Sequence, residues 1–258
     1  MKVVIFAGGL GTRLSSITDY IPKPMVRIGG KPILWHIMKI YSTYGFNDFI
    51  LCLGYKQEVI KEYFYNYNFW SADFEINLNS KKIKILNSYE KTDWEITLVD
   101  TGANALKGAR LKKVEKYLDD GPNMFTYGDG VADIDIKELV KFHRSHKKIL
   151  TITGVNPPSR FGEMMTEGSR VISFKEKPQI SSGLINGGFC VFNRNLLKYL
   201  TKDDNCDLED RVFEKLASRG QVMVYKHLKN WGCIDTEQEL RYLNNTWDEN
   251  KAFWKVWE

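Results

Sequence analysis

A mainly parallel α/β sheet flanked by helices, with a smaller β-rich insertion, is the fold class this sequence predicts. Strand-like apolar runs alternate with amphipathic helical patterns through the first two-thirds of the 258 residues, an order that specifies parallel strands covered on both faces. The first run, Val3 to Ala7, breaks directly into a loop with three glycines in four positions, Gly8, Gly9 and Gly11. One stretch, Tyr63 to Glu95, departs from the alternation: it is long and rich in aromatics and Asn.

The elements follow in order. Val3 to Ala7 is Val-, Ile- and Phe-rich, too short and too continuous for an exposed helix, and reads as a buried strand. Pro32 suits an early helix position and opens a helix through Tyr44 that Gly45 ends. Asp48 to Leu53 is the next strand and Gln57 to Phe64 a short helix. Within the departing stretch, Phe74 to Leu78 and Lys82 to Leu86 are candidate strands. Lys112 to Leu118 reads as a helix, Met124 to Tyr127 as a strand, Ile136 to His146 as a helix and Ile149 to Val155 as a strand. A helix from Leu208 to Gly220, a strand from Val222 to Tyr225 and a final helix from Thr236 to about Trp247 complete the series. The tail, Ala252 to Trp257, holds three aromatics and is expected to dock rather than hang free.

With 43% hydrophobic and 27% charged residues, the chain can bury a sizeable core as one domain over residues 1–258. No run is apolar enough to cross a bilayer and no signal peptide is evident, so no membrane partner is expected. Cys52, Cys190, Cys206 and Cys233 are scattered without a Cys-x-x-Cys pair, which suits a reducing, cytoplasmic setting. The net charge of +5 is spread along the chain without the basic and aromatic interleaving of a nucleic-acid motif. Nucleic acid is therefore not an expected partner.

The glycine loop points to phosphate. Without Cβ atoms its N–H groups can approach an anion, and Arg13 and Lys23 add positive charge, the latter between Pro22 and Pro24. The Walker string is absent. The dinucleotide fingerprint fails at its third glycine, which is Leu14, and the strand Asp48 to Leu53 ends in Gly54 and Tyr55 with no ribose-binding carboxylate. A nucleoside triphosphate fits better than a nicotinamide cofactor. Asp129, between Gly128 and Gly130 after an apolar strand, is a hard oxygen donor at a strand's carboxyl end, suited to Mg²⁺ or to capping the next helix.

Gly8-Gly9-x-Gly11-Thr12-Arg13-Leu14, followed by Pro22-Lys23-Pro24-Met25, resembles the signature of the sugar-1-phosphate nucleotidylyltransferases. Further similar strings are Gly30 to Met38, Leu98-Val99-Asp100-Thr101-Gly102, Tyr127 to Asp133, Glu176-Lys177-Pro178 and Ile185-Asn186-Gly187-Gly188-Phe189. Together they are most similar to the family's cytidylyltransferases for glucose 1-phosphate. The resemblance implies a Rossmann-like nucleotidyltransferase fold, CTP as donor, a small phosphorylated acceptor, Mg²⁺, a CDP-activated product for surface polysaccharide and a homo-oligomer that uses the insertion at about 63–95; the tail around Trp254 and Trp257 is expected to be hidden in subunit contacts as well. It implies nucleotide binding by Ala7, Gly8, Gly9, Gly11, Thr12, Arg13, Lys23, Thr101, Gly102, Arg110, Gly128 and Asp129. Arg13, Lys23 and Asp129 would be catalytic, and Asp129 and Asp235 would hold the metal, although Asp235 is also placed to cap the final helix. Glu176, Lys177, Asn186 and Gly187 would bind the acceptor, within an acceptor-side part at about 171–258.

The resemblance thins on that side. Where glucose 1-phosphate enzymes read Trp-Glu-Gln-Glu-Pro-Leu, this chain has Leu208-Glu209-Asp210-Arg211-Val212-Phe213, so a glutamate has become Arg211. Arginine prefers carboxylate or phosphate. If Arg211 borders the acceptor, a non-sugar acidic acceptor such as a phosphorylated amino acid is a second candidate; otherwise the helix has drifted on an exposed face. A Rossmann-type binding or redox protein is the alternative from another class.

Overall fold

The computed structural model describes residues 1–14, 18–88, 92–157, 163–175 and 183–258. The chain runs β1 (Val3–Phe6), α1 (Ile33–Thr43), β2 (Asp48–Leu53), α2 (Gln57–Tyr65), β3 (Ala72–Asn77), β4 (Lys82–Ser88) and β5 (Glu95–Asp100). There follow α3 (Lys107–Lys113), β6 (Asn123–Tyr127), β7 (Gly130–Ala132), α4 (Ile136–His146), β8 (Leu150–Val155), β9 (Glu163–Glu167) and β10 (Arg170–Lys175). Last come β11 (Ile185–Phe192), β12 (Val222–His227), β13 (Trp231–Cys233) and α5 (Glu237–Asp248).

Seven strands form one sheet in the order β12-β8-β11-β6-β1-β2-β5. It is parallel throughout except at β11, which runs against both neighbours. The mainly parallel expectation is met. Alternation along β1 explains the two layers: Val3 and Ile5 join the core under α1, α4 and α5, while Val4 and Phe6 join the core on the opposite face with Leu111, Leu197 and Val212. From β1 the chain moves outward to β2 and β5, then returns to β1's other side as β6. The order therefore reverses beside β1, and a sheet of this kind leaves a crevice there at the strands' carboxyl ends.

Two helices differ from expectation. The helix read at Lys112 to Leu118 instead spans Lys107–Lys113, followed by a 3-10 turn at Glu115–Tyr117. Its start is fixed from a distance: at Gly108 a Cβ would lie 2.7 Å from the Cys206 carbonyl oxygen, so only glycine lets the two segments touch. The helix read at Leu208 to Gly220 is a π-helical turn, Leu208–Phe213, running into an α-helix at Glu214–Ser218.

Tyr63, Phe64 and Trp94 pack against the main core, and β3 and β4 alone form the separate antiparallel hairpin. The tail docks as expected, but on its own chain. Trp254 is 0% exposed, stacked on Trp247, and donates its indole N–H to His36 Nδ1 at 3.3 Å.

Candidate active site

The crevice begins where β1 enters the glycine loop. Ala7 is still held by the sheet, its N–H donating to the Cys52 carbonyl at 3.0 Å. The three glycines then serve different ends. A Cβ at Gly8 would come 2.1 Å from Arg110 Nη1, so Gly8 exists to admit the arginine behind it. Gly11 has φ +68°, a conformation that favours glycine. Gly9 alone has nothing within 4 Å of where its Cβ would be, so it is the glycine that leaves room for a ligand. Thr12–Leu14 turn as a 3-10 helix; the Arg13 side chain lies outside the described atoms.

Arg110 is 3% exposed and ties this crevice together. It donates to the carbonyls of Leu53 and Gly8, both at 2.9 Å, of Ala103 at 3.3 Å, and to Thr101 Oγ1 at 2.7 Å. Thr101 in turn donates to the Leu53 carbonyl at 2.6 Å. Gly102, at φ +97°, closes the turn after β5. Burial pushes the Arg110 pKa down from its usual value. The sequence places Arg110 in an expected nucleotide site; in the structure its side chain lies behind the glycine loop, where it fixes the ends of β1 and β2.

Lys23 opens the turn Lys23–Met25, with Pro22 at φ −67° before it and Pro24 after it. Its Nζ lies 2.6 Å from Asp129 Oδ2 and 2.6 Å from Asp235 Oδ1. Three residues distant in sequence thus converge. A short ladder is responsible: β7 pairs with β13, Gly130 opposite Cys233, and the Ile234 N–H donates to the Asp129 carbonyl at 2.9 Å. Gly128 keeps the approach tight, because a Cβ there would lie 2.8 Å from the Phe6 carbonyl oxygen. The side chains of Lys23, Asp129 and Asp235 are 12%, 30% and 14% exposed. Burial opposes the Lys23 charge, yet the Asp129 and Asp235 carboxylates overcome it and raise the pKa.

The capping alternatives fall elsewhere. Thr236 caps α5 in a capping box with Glu239, and the Asp235 carboxylate points to Lys23 instead. Asp135 caps α4 by accepting from the Glu138 N–H at 3.0 Å. Asp133 lies 2.9 Å from His227 Nε2. Two carboxylate oxygens 2.6 Å from one ammonium define a point where a cation meets two hard donors, so the donor set fits a divalent cation. Among the described residues no group of three His, Cys, Asp or Glu forms such a cluster.

Among the residues expected to face the acceptor, Asn186 Nδ2 donates to Tyr127 Oη at 2.8 Å, and Tyr127 donates to Glu209 Oε1 at 2.6 Å. Lys107 Nζ is 2.6 Å from the same Glu209 oxygen. Gly187 accepts from Trp231 Nε1 at 2.9 Å and packs so closely on Val155 that a Cβ would be 2.5 Å from its Cγ1. Arg211 is on the exposed side of its turn, and Glu209 is the residue of that string beside Asn186. Glu176 and Lys177 lie outside the described residues. Tyr127, Glu209 and Lys107, given no role in the sequence reading, join Asn186 in one network; Glu209 stood in the string that drew attention to Arg211.

A family model described as nucleotidyl transferase matches residues 2–255. The glucose-1-phosphate cytidylyltransferases of Salmonella typhi and Salmonella typhimurium are each 47% identical to the chain, with 100% of both sequences covered. A solved UDP-glucose pyrophosphorylase, complexed with UDP-glucose, superposes with a TM-score of 0.67 at 17% identity, covering 96% of this chain and 98% of that one, and supports the fold.

Proposed function

The chain belongs to the nucleotidyl transferase family, and from that premise we infer that it transfers CMP from CTP to glucose 1-phosphate, releasing pyrophosphate. The observation that carries this is the convergence of Lys23, Asp129 and Asp235 beside the glycine loop. An ionised phosphate oxygen of the acceptor attacks the α-phosphorus, the new P–O bond forms, and the bond to the β-phosphate breaks with pyrophosphate leaving. No proton must be removed, so catalysis is positioning and charge neutralisation, which suits a site of ammonium, carboxylates and glycine N–H groups. Lys23 and Arg13 oppose charge on the departing pyrophosphate. Asp129 and Asp235 would hold Mg²⁺, which when bound neutralises triphosphate charge.

An acidic acceptor would depend on Arg211. With Glu209 beside Asn186 and Tyr127, the local chemistry favours hydroxyls, which donate to a carboxylate, over a second carboxylate. The CDP-activated product is a precursor for surface polysaccharide. The enzyme acts in the cytoplasm as a homo-oligomer, with the hairpin of β3 and β4 between copies; no helix among the described residues is long and apolar enough to cross a membrane.

The test is pyrophosphate release from each nucleoside triphosphate paired with a set of phosphorylated acceptors. CTP with glucose 1-phosphate should turn over fastest, and Asp129→Asn should lower turnover by about 10³ while the protein stays folded. Comparable turnover with dTTP or UTP, or full activity in folded Asp129→Asn, overturns the corresponding part.

A further inference from the structure

The β7–β13 ladder brings two carboxylates to one point and would leave them repelling each other if nothing stood between them. Lys23 stands there. Its ammonium lies 2.6 Å from an oxygen of each, so it and a divalent cation compete for the same pair of oxygens. The backbone of Lys23 is held by Pro22 and Pro24, but its stem lies along the phosphate loop: a Cβ on Gly11 would be 3.3 Å from Lys23 Cβ. An ammonium leaving the carboxylates therefore has the loop that would hold nucleotide phosphates directly beside it. A four-carbon stem with a freely rotating head suits such a transfer better than a planar guanidinium would.

We propose that Lys23 is the resident cation of the nucleotide-free site, occupying the Asp129–Asp235 pair until nucleotide phosphates draw it away, so that nucleotide and divalent cation load together. This rests on Asp129 and Asp235 being the cation ligands. By linkage the coupling is reciprocal: nucleotide raises cation affinity by the factor that the cation raises nucleotide affinity. Removing the ammonium severs the coupling by opening the carboxylates before nucleotide arrives.

The readout is Mn²⁺ binding to nucleotide-free protein, followed by the spin-resonance signal of the free ion. Native protein should bind weakly, and Lys23→Met should bind at least about tenfold tighter, in the usual range of coupling between sites. Adding Asp129→Asn to Lys23→Met should abolish the gain, and Mn²⁺ should raise the melting temperature of Lys23→Met more than that of native protein. Lys23→Gln, neutral but polar, gives the same comparison if the methionine variant does not fold. Equal Mn²⁺ affinities in native and Lys23 variants, both lost in Asp129→Asn, would overturn the resident-cation role and leave the carboxylates as ligands. Equal affinities untouched by Asp129→Asn would remove the ligand assignment as well.

Discussion

Two aromatic-rich regions that the sequence analysis assigned alike, the C-terminal tail and the insertion, have opposite fates. In the tail, Trp254 is fully buried within its own chain, between Trp247, Phe253 and His36. In the insertion hairpin, Phe74 pairs across the strands with Ile85, and Ile76 with Ile83, and all four remain exposed. The opposite face carries the Glu75–Lys84 and Asn77–Lys82 pairs. An aromatic cluster thus signals that something covers it without saying what. The tail follows α5, whose Leu243 and Trp247 already pack on the body, so its cover is at hand. A two-stranded hairpin has no second layer, and its apolar face is not buried by its own chain.

The strongest way to break this contrast is Trp254→Ala. If the tail belongs to the body, the substitution removes a fully buried indole and should cost about 3–5 kcal/mol of stability in urea unfolding, independent of protein concentration. A loss that instead grows on dilution would return the tail to the subunit interface.

What the sequence makes legible follows the same divide between local and distant causes. Asp48–Leu53 and Ile136–His146 form where they were expected because their signals are local: a continuous apolar run in one, and Asp135 as a cap in the other. The shifted start of α3 depends on Gly108 meeting Cys206, a contact no local pattern contains. In the site, Lys23, Asp129 and Asp235 were each singled out, yet the ladder that unites them pairs strands of only three residues, too short to announce themselves. Arg110 was named for the nucleotide, while its bonds to the carbonyls of Gly8, Leu53 and Ala103 are a tertiary fact. Glu209 was overshadowed because a change of charge at Arg211 is easier to see than an unchanged carboxylate.

Acid should sharpen the contrast next, since the histidines lie in the body and none in the hairpin. His143 is 1% exposed, and burial pushes its pKa down to about 4. The unfolded chain therefore takes up a proton near pH 6.5 that the folded chain refuses. Stability from neutral His143 is fully present above pH 6.5 and is lost as pH falls towards 4, by at most about 3 kcal/mol. Urea midpoints measured from pH 7 to pH 4.5 should fall accordingly, and His143→Gln should flatten that slope. An unchanged slope in the variant would place the acid sensitivity elsewhere.

The smallest effect on the folded chain should come from the hairpin itself. Ile83→Lys and Ile85→Lys place charges on a face that the chain leaves in water, so each should change monomer stability by no more than about 0.5 kcal/mol. Their consequence should appear in assembly. A covered apolar face becomes costly once a lysine must be buried in it, so the sedimenting mass at micromolar concentration should fall while the unfolding curve stays in place. The native protein must first sediment as an oligomer for this to be seen. If it is a monomer, or if the double variant keeps the native mass, then the hairpin is not the contact between copies.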